Sequence, residues 1–170
     1  LWNKDRIFEE AVRVPLIVVW PDKIKKNVVN KTQMVSLVDL MPTILGLVGG
    51  EIPDCVQGKN VAPVITGEVP VIDNPAFIDT PYGEIAIRTM THKYAMLITK
   101  DNQIKNDKYA FYDLVKDPYE MNNLVNTNKQ KDVADKLKTQ LLDWNKNTQV
   151  LSTGAPFTNC FELPEELVKA

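Results

Sequence analysis

Four short apolar and β-branched runs follow one another closely: Ala76-Phe77-Ile78-Asp79-Thr80, Glu84-Ile85-Ala86-Ile87-Arg88-Thr89-Met90, Lys93-Tyr94-Ala95-Met96-Leu97-Ile98-Thr99 and Tyr109-Ala110-Phe111-Tyr112-Asp113-Leu114. Turn residues separate them at Pro81-Tyr82-Gly83, at Thr91-His92 and over Lys100 to Lys108. Short strands joined by tight links predict an antiparallel meander, because parallel strands need long crossovers. Downstream the period changes. From Asn128 to Asn147, Val133, Leu137, Leu141 and Trp144 fall on one helical stripe while Lys and Asp occupy the rest. Such a stripe is expected to pack on one face of the sheet, with Trp144 as a packing residue. Between meander and helix, Asp117-Pro118-Tyr119-Glu120 has Asp at a cap, Pro at the first helical position and Glu at the third, which predicts a capped helical start.

Upstream of the meander, Val14-Pro15-Leu16-Ile17-Val18-Val19-Trp20 is almost continuously apolar, the pattern of a strand covered on both faces in a mostly parallel sheet. No earlier strand in the chain could pair with it, so the sequence reads as the later part of a larger protein. A short helix is expected over Leu40 to Val48, with Asp39 as N-cap, Pro42 in the first turn and Gly49-Gly50 as a left-handed stop. Glu51 to Pro75 is rich in Pro and Gly and reads as a connector with one helical turn near Val61 to Ile65. Beyond Val150 a Thr-Gly-Ala-Pro turn and a last helical turn at Pro164 to Val168 are expected.

The 170 residues are 44% hydrophobic and 25% charged, ordinary for a globular chain. A formal net charge of -2 gives no electrostatic case for nucleic acid, and the Lys23, Lys25, Lys26 run reads as a solvated loop. No stretch approaches the roughly 20 apolar residues that span a bilayer, and no signal peptide is visible. Cys55 and Cys160 have no metal-ligand spacing, and whether they pair stays open. Localisation is equally open between periplasmic or secreted and cytoplasmic.

These segments, in this order, resemble the C-terminal part of the sulfatase family, arylsulfatase-like members of the alkaline phosphatase superfamily. The resemblance rests on Lys4-x-x-x-Phe8-Glu9, Arg13-Val14-Pro15-Leu16-Ile17-Val18, Trp20-Pro21, Val35-Ser36-Leu37-Val38-Asp39-Leu40-Met41-Pro42-Thr43 and Gln57-Gly58. It continues through Ile87-Arg88-Thr89, Lys93-Tyr94 and Tyr112-Asp113-Leu114-x-x-Asp117-Pro118-x-Glu120-x-x-Asn123-Leu124. It implies an α/β protein, α+β within this stretch. Residues 1–64 would hold the last strand and helix of a large, mostly parallel α/β domain. Residues 65–75 would be a connector, 76–149 a four-stranded antiparallel sheet packed on a C-terminal helix, and 150–170 a tail.

The resemblance also implies the chemistry: hydrolysis of sulfate esters of a carbohydrate or aryl substrate by a formylglycine nucleophile, with a divalent metal, expected to be calcium, holding the sulfate. Neither Cys lies in the required Cys/Ser-x-Pro-x-Arg motif, since Cys55 precedes Val56-Gln57-Gly58 and Cys160 precedes Phe161-Glu162-Leu163. No metal ligand is expected in this stretch, which would be inactive without an N-terminal catalytic region. One catalytic position carries over. Lys4 matches the family lysine that contacts the sulfate and the leaving-group oxygen, where a placed cation stabilises developing charge. His92, the one histidine, sits in a predicted hairpin turn, either exposed or reaching the rim of a substrate pocket. Arg13 and Arg88 read as ion-pair or hydrogen-bond anchors. Asp113, Asp117 and Glu120 do not read as a metal cluster, since the Asp117-Pro118-x-Glu120 spacing is explained by helix capping. Two alternatives stand beside the sulfatase reading: a phosphodiester or phosphonate ester hydrolase of the same superfamily, and a non-catalytic binding or interaction module. Expressed alone, the chain is expected to self-associate, or to lose order before about Asp22, through its uncovered first strand.

Overall fold

The computed structural model describes residues 5–148. Lys4, Cys160 and the turns expected in the tail lie outside the described residues.

The meander is present. Strands β1 (Ala76–Asp79), β2 (Glu84–Arg88), β3 (His92–Ile98) and β4 (Ile104–Asp113) form one antiparallel sheet in sequential order. Register divides it into two unlike faces, since alternate side chains point to opposite sides. Pairings of Ile87 with Tyr94 and of Tyr94 with Phe111 put large apolar residues on one face. Pairings of Ala86 with Ala95 and of Ala95 with Ala110 put alanines on the other. Among the described residues, four α-helices lie outside the sheet: α1 (Glu9–Val12), α2 (Leu40–Val48), α3 (Ala62–Thr66) and α4 (Lys131–Asn147).

Helix α4 covers the large-residue face. Its Leu137 and Leu141 are buried in one core with Ile85, Ile87, Tyr94, Met96 and Phe111. The Trp144 ring stacks on Phe77 with centroids 5.0 Å apart and planes within 5°. The stripe read from the sequence is therefore the packing seam. The helix starts at Lys131 because Gln130 is left-handed, with φ 54°.

Outside the meander, three local expectations differ from the structure. The Asp117-Pro118 segment is a turn and not a helix: the Asp117 carboxylate accepts the Met121 and Asn122 amides, and Glu120 at φ 56° takes the chain out of the helical region. Helix α2 ends as expected at left-handed Gly49 (φ 74°), but Asp39 does not cap it. The buried Asp39 carboxylate instead accepts the Ser36 amide at 2.7 Å, the Lys59 amide at 2.8 Å and Asn74 Nδ2 at 2.6 Å, tying the entrance of α2 to the connector. Finally, the apolar run Val14 to Trp20 belongs to no strand among the described residues. Ile17 is 85% and Val19 80% exposed. A strand exists only by pairing, and no described segment lies beside this one to pair with it.

Candidate functional site

The alanine face of the sheet receives the segment that directly follows Lys4. Ile7 is fully buried against Ala86, Ala95, Ala110, Tyr112 and Leu114. Three alanines keep this face shallow, so the incoming backbone comes within reach of side chains rising from the strands. Lys93, alternating with Tyr94 along β3, points to this face and is fully buried. Its Nζ donates to the Ile7 carbonyl at 2.7 Å and meets Glu9 Oε1 at 2.8 Å and Glu120 Oε1 at 2.7 Å. Glu120 Oε2 accepts the Glu9 amide at 2.7 Å. Arg88, the last residue of β2, donates from Nη2 to Glu9 Oε2 at 3.0 Å. Two cations and two carboxylates thus balance one another out of water.

A second ion pair lies on the same face. Arg6 Nε lies 2.9 Å from each Glu84 carboxylate oxygen, Arg6 Nη2 lies 2.5 Å from Oε1, and the Tyr109 hydroxyl donates to Oε1 at 2.8 Å. Glu84 is 1% exposed, and a buried carboxylate is costly to leave without such partners. The two clusters clamp Arg6, Ile7 and Glu9 to the sheet through side chains and backbone alike. Burial pushes the Glu9 carboxyl up, but the bonds from Arg88 and Lys93 outweigh burial and hold it below its ordinary value.

His92 occupies the other face. It is half-buried and stacks on Phe111 at 5.6 Å, with Nε2 2.5 Å from Gln130 Oε1. Gln130 Nε2 donates to Asp113 Oδ2 at 2.7 Å, and that bond, ahead of burial, leaves the Asp113 carboxyl below its ordinary value. His92 therefore fixes the left-handed residue that opens α4, and the sheet separates it from residues 6–9. Arg88 is the ion-pair anchor expected of it, whereas Arg13 is exposed and makes no ion pair among the described residues. Glu120 is no cap, as its place between Lys93 and the Glu9 amide shows.

No group of three or more His, Cys, Asp or Glu among the described residues could hold a metal ion. The described residues thus do not fit calcium, and Cys55, exposed and outside the required motif, does not fit a formylglycine precursor. The clamp residues Glu9, Glu84 and Lys93 carried no role in the sequence reading, and Glu120 carried a different one, as a cap. The available signal was a charged residue at an inward position of a buried strand, as at Glu84 and Lys93, which requires a partner that local pattern cannot name.

A family model described as N-sulphoglucosamine sulphohydrolase, C-terminal, matches residues 1–147. The chain is 30% identical to a sulfatase of Formosa agariphila over 95% of its own length and 32% of that protein's. It is 32% identical to an endo-4-O-sulfatase of Bacteroides thetaiotaomicron over 81% of its length and 30% of the relative's. A crystal structure of a putative sulfatase from Bacteroides fragilis superposes with a TM-score of 0.60 at 28% identity, covering 75% of this chain and 28% of that one. The chain spans about three tenths of the length of these relatives. With the sheet, the packed helix and the motif order in agreement, the chain belongs to the sulfatases, as a C-terminal region of the N-sulphoglucosamine sulphohydrolase type.

Proposed function

We propose that this chain is the C-terminal portion of a sulfuric ester hydrolase acting on sulfated carbohydrate, with Lys4 as its contribution to catalysis and no turnover by this portion alone. The observation that carries the reading is the clamp on residues 6–9, which holds the stretch that follows Lys4 on the sheet through buried charges. A carbohydrate substrate is supported by two of the names that the chain matches, an N-sulphoglucosamine sulphohydrolase and an endo-4-O-sulfatase.

Sulfate ester cleavage concentrates negative charge on the departing oxygen, and an ammonium placed there lowers the barrier; loss of such a donor costs on the order of 10²–10³ in rate. The formylglycine nucleophile and calcium belong, in this reading, to the seven tenths of the relatives that the chain does not span. The role of this region is to present Lys4 and to brace it.

The test uses the full-length protein with N- and O-sulfated glucosamines and 4-nitrophenyl sulfate, scored by released sulfate. Turnover of at least one of them, and a Lys4→Ala variant slowed at least about tenfold, is the expected result. Wild-type protein inert toward all of them, or Lys4→Ala at the wild-type rate, would overturn it.

A further inference from the structure

We propose that Lys93, held by Glu9 and Glu120, is the positioning residue for Lys4, so that this buried cluster sets the rate of sulfate ester cleavage and not stability alone. The inference rests on the catalytic reading of Lys4.

An ammonium has three protons to give, and Lys93 directs them at the Ile7 carbonyl, Glu9 and Glu120. Two of these three partners lie in the segment that follows Lys4. An apolar side chain in place of Lys93 would fill the same space, and exchanging buried ions for well-packed apolar groups is often neutral or stabilising. What an apolar residue cannot do is fix one backbone carbonyl along one direction. Ile7 by itself could slide on the alanine floor, whereas the bond to its carbonyl and the bond from the Glu9 amide to Glu120 set its register.

Glu120 is itself held in an unusual way. Its φ of 56° is a conformation that a glutamate adopts only when its surroundings over-determine it. The Asp117 carboxylate secures the two amides that follow it, at Met121 and Asn122. Lys4 is three residues before Ile7 in the sequence, at most about 11 Å of chain away. A misplacement of about 1 Å at a reacting group can cost about a hundredfold in rate.

The experiment is a double-mutant cycle in the full-length protein, on whichever compound of the panel above turns over fastest. Lys93→Met keeps the volume and removes the bonds. In the Lys4 background it should lower kcat about tenfold or more with KM within about twofold; in the Lys4→Ala background the same change should cost less than about twofold, since its effect runs through Lys4. Equal losses in both backgrounds would make Lys93 a structural residue and overturn the inference, leaving the catalytic reading of Lys4 intact. An unaffected Lys4→Ala single variant would instead remove that reading, and the inference with it. If Lys93→Met does not fold, Glu120→Gln, which preserves shape, runs the same cycle with the same expected asymmetry. Failure of both to fold assigns the cluster to stability and overturns the inference.

Discussion

Truncating Ile7 to Ala in this chain removes about three methylene-sized groups from a fully buried side chain, worth about 2.4 kcal/mol in transfer from water. The cavity adds to that. The neighbours of Ile7 are largely alanines on a hydrogen-bonded sheet, which have no longer side chain to swing into the gap. A site that relaxes poorly lies above the transfer value, so a total of about 3–4 kcal/mol is expected, within the observed range of about 2–5 for such truncations. That is more than a hundredfold in the opening equilibrium of the docked segment, at about 1.4 kcal/mol per tenfold. The reporter is the Glu9 amide, buried in its bond to Glu120 Oε2, followed by native-state hydrogen exchange alongside urea unfolding. Ile17→Ala serves as the control, because Ile17 is 85% exposed and its truncation should stay within about 0.5 kcal/mol. Glu9 exchange that rises no more for Ile7→Ala than for Ile17→Ala would refute the docking of this segment on the sheet.

Acid should loosen the same contact. The Glu9 carboxyl titrates below its ordinary 4.5 when folded, so the stability it contributes is complete above about 4.5 and is lost as pH falls through the lower folded value. The gap in urea midpoint between wild type and Glu9→Gln should therefore shrink from pH 7 to pH 3, and a constant gap would contradict the assignment. Gly58→Ala should destabilise the connector, because a Cβ there would sit 1.9 Å from the Val38 carbonyl oxygen. Overpacking of this kind costs about 1–3 kcal/mol, and a melting temperature within about 1 °C of wild type would show that the backbone yields freely.

The parts of the fold that local pattern encodes were legible in the sequence. Alternation in Glu84-Ile85-Ala86-Ile87-Arg88 and the stripe Val133, Leu137, Leu141, Trp144 are repeated along the chain itself, and both elements form where they were expected. The β4 start was missed by several residues because Lys105 to Lys108 is polar, and pairing of Ile98 with Ile104 extends the hairpin through a segment without an apolar signal. Glu120 was misread for a different reason. Asp-Pro-x-Glu is a sound helix-capping pattern, but a buried ammonium on β3 competes for the same carboxylate and wins, since an unpaired Lys93 in the core would cost far more than a lost helical turn. Of the site, Arg88 was legible as an ion-pair anchor by its place in a motif. The clamp was not, because its bonds join residues whose partners no local window contains. Val14 to Trp20 shows the converse: composition states what a segment can do, and only a neighbour decides whether it does so.

The distances along the chain between clamp partners carry a consequence for the order of assembly. Arg6 and Glu84 are 78 positions apart, Ile7 and Lys93 are 86 apart, and Glu9 and Glu120 are 111 apart. The meander closes by neighbouring hairpins and needs no such reach, so it can form early. In a chain made from its N-terminal end, residues 6–9 leave the ribosome long before anything exists to hold them. Their register is settled only when the turn at Glu120 has been made. Residues 6–9 are thus synthesised before every partner that secures them, and a ribosome stalled before Glu120 would release a chain in which Glu9 lacks the carboxylate that fixes its amide.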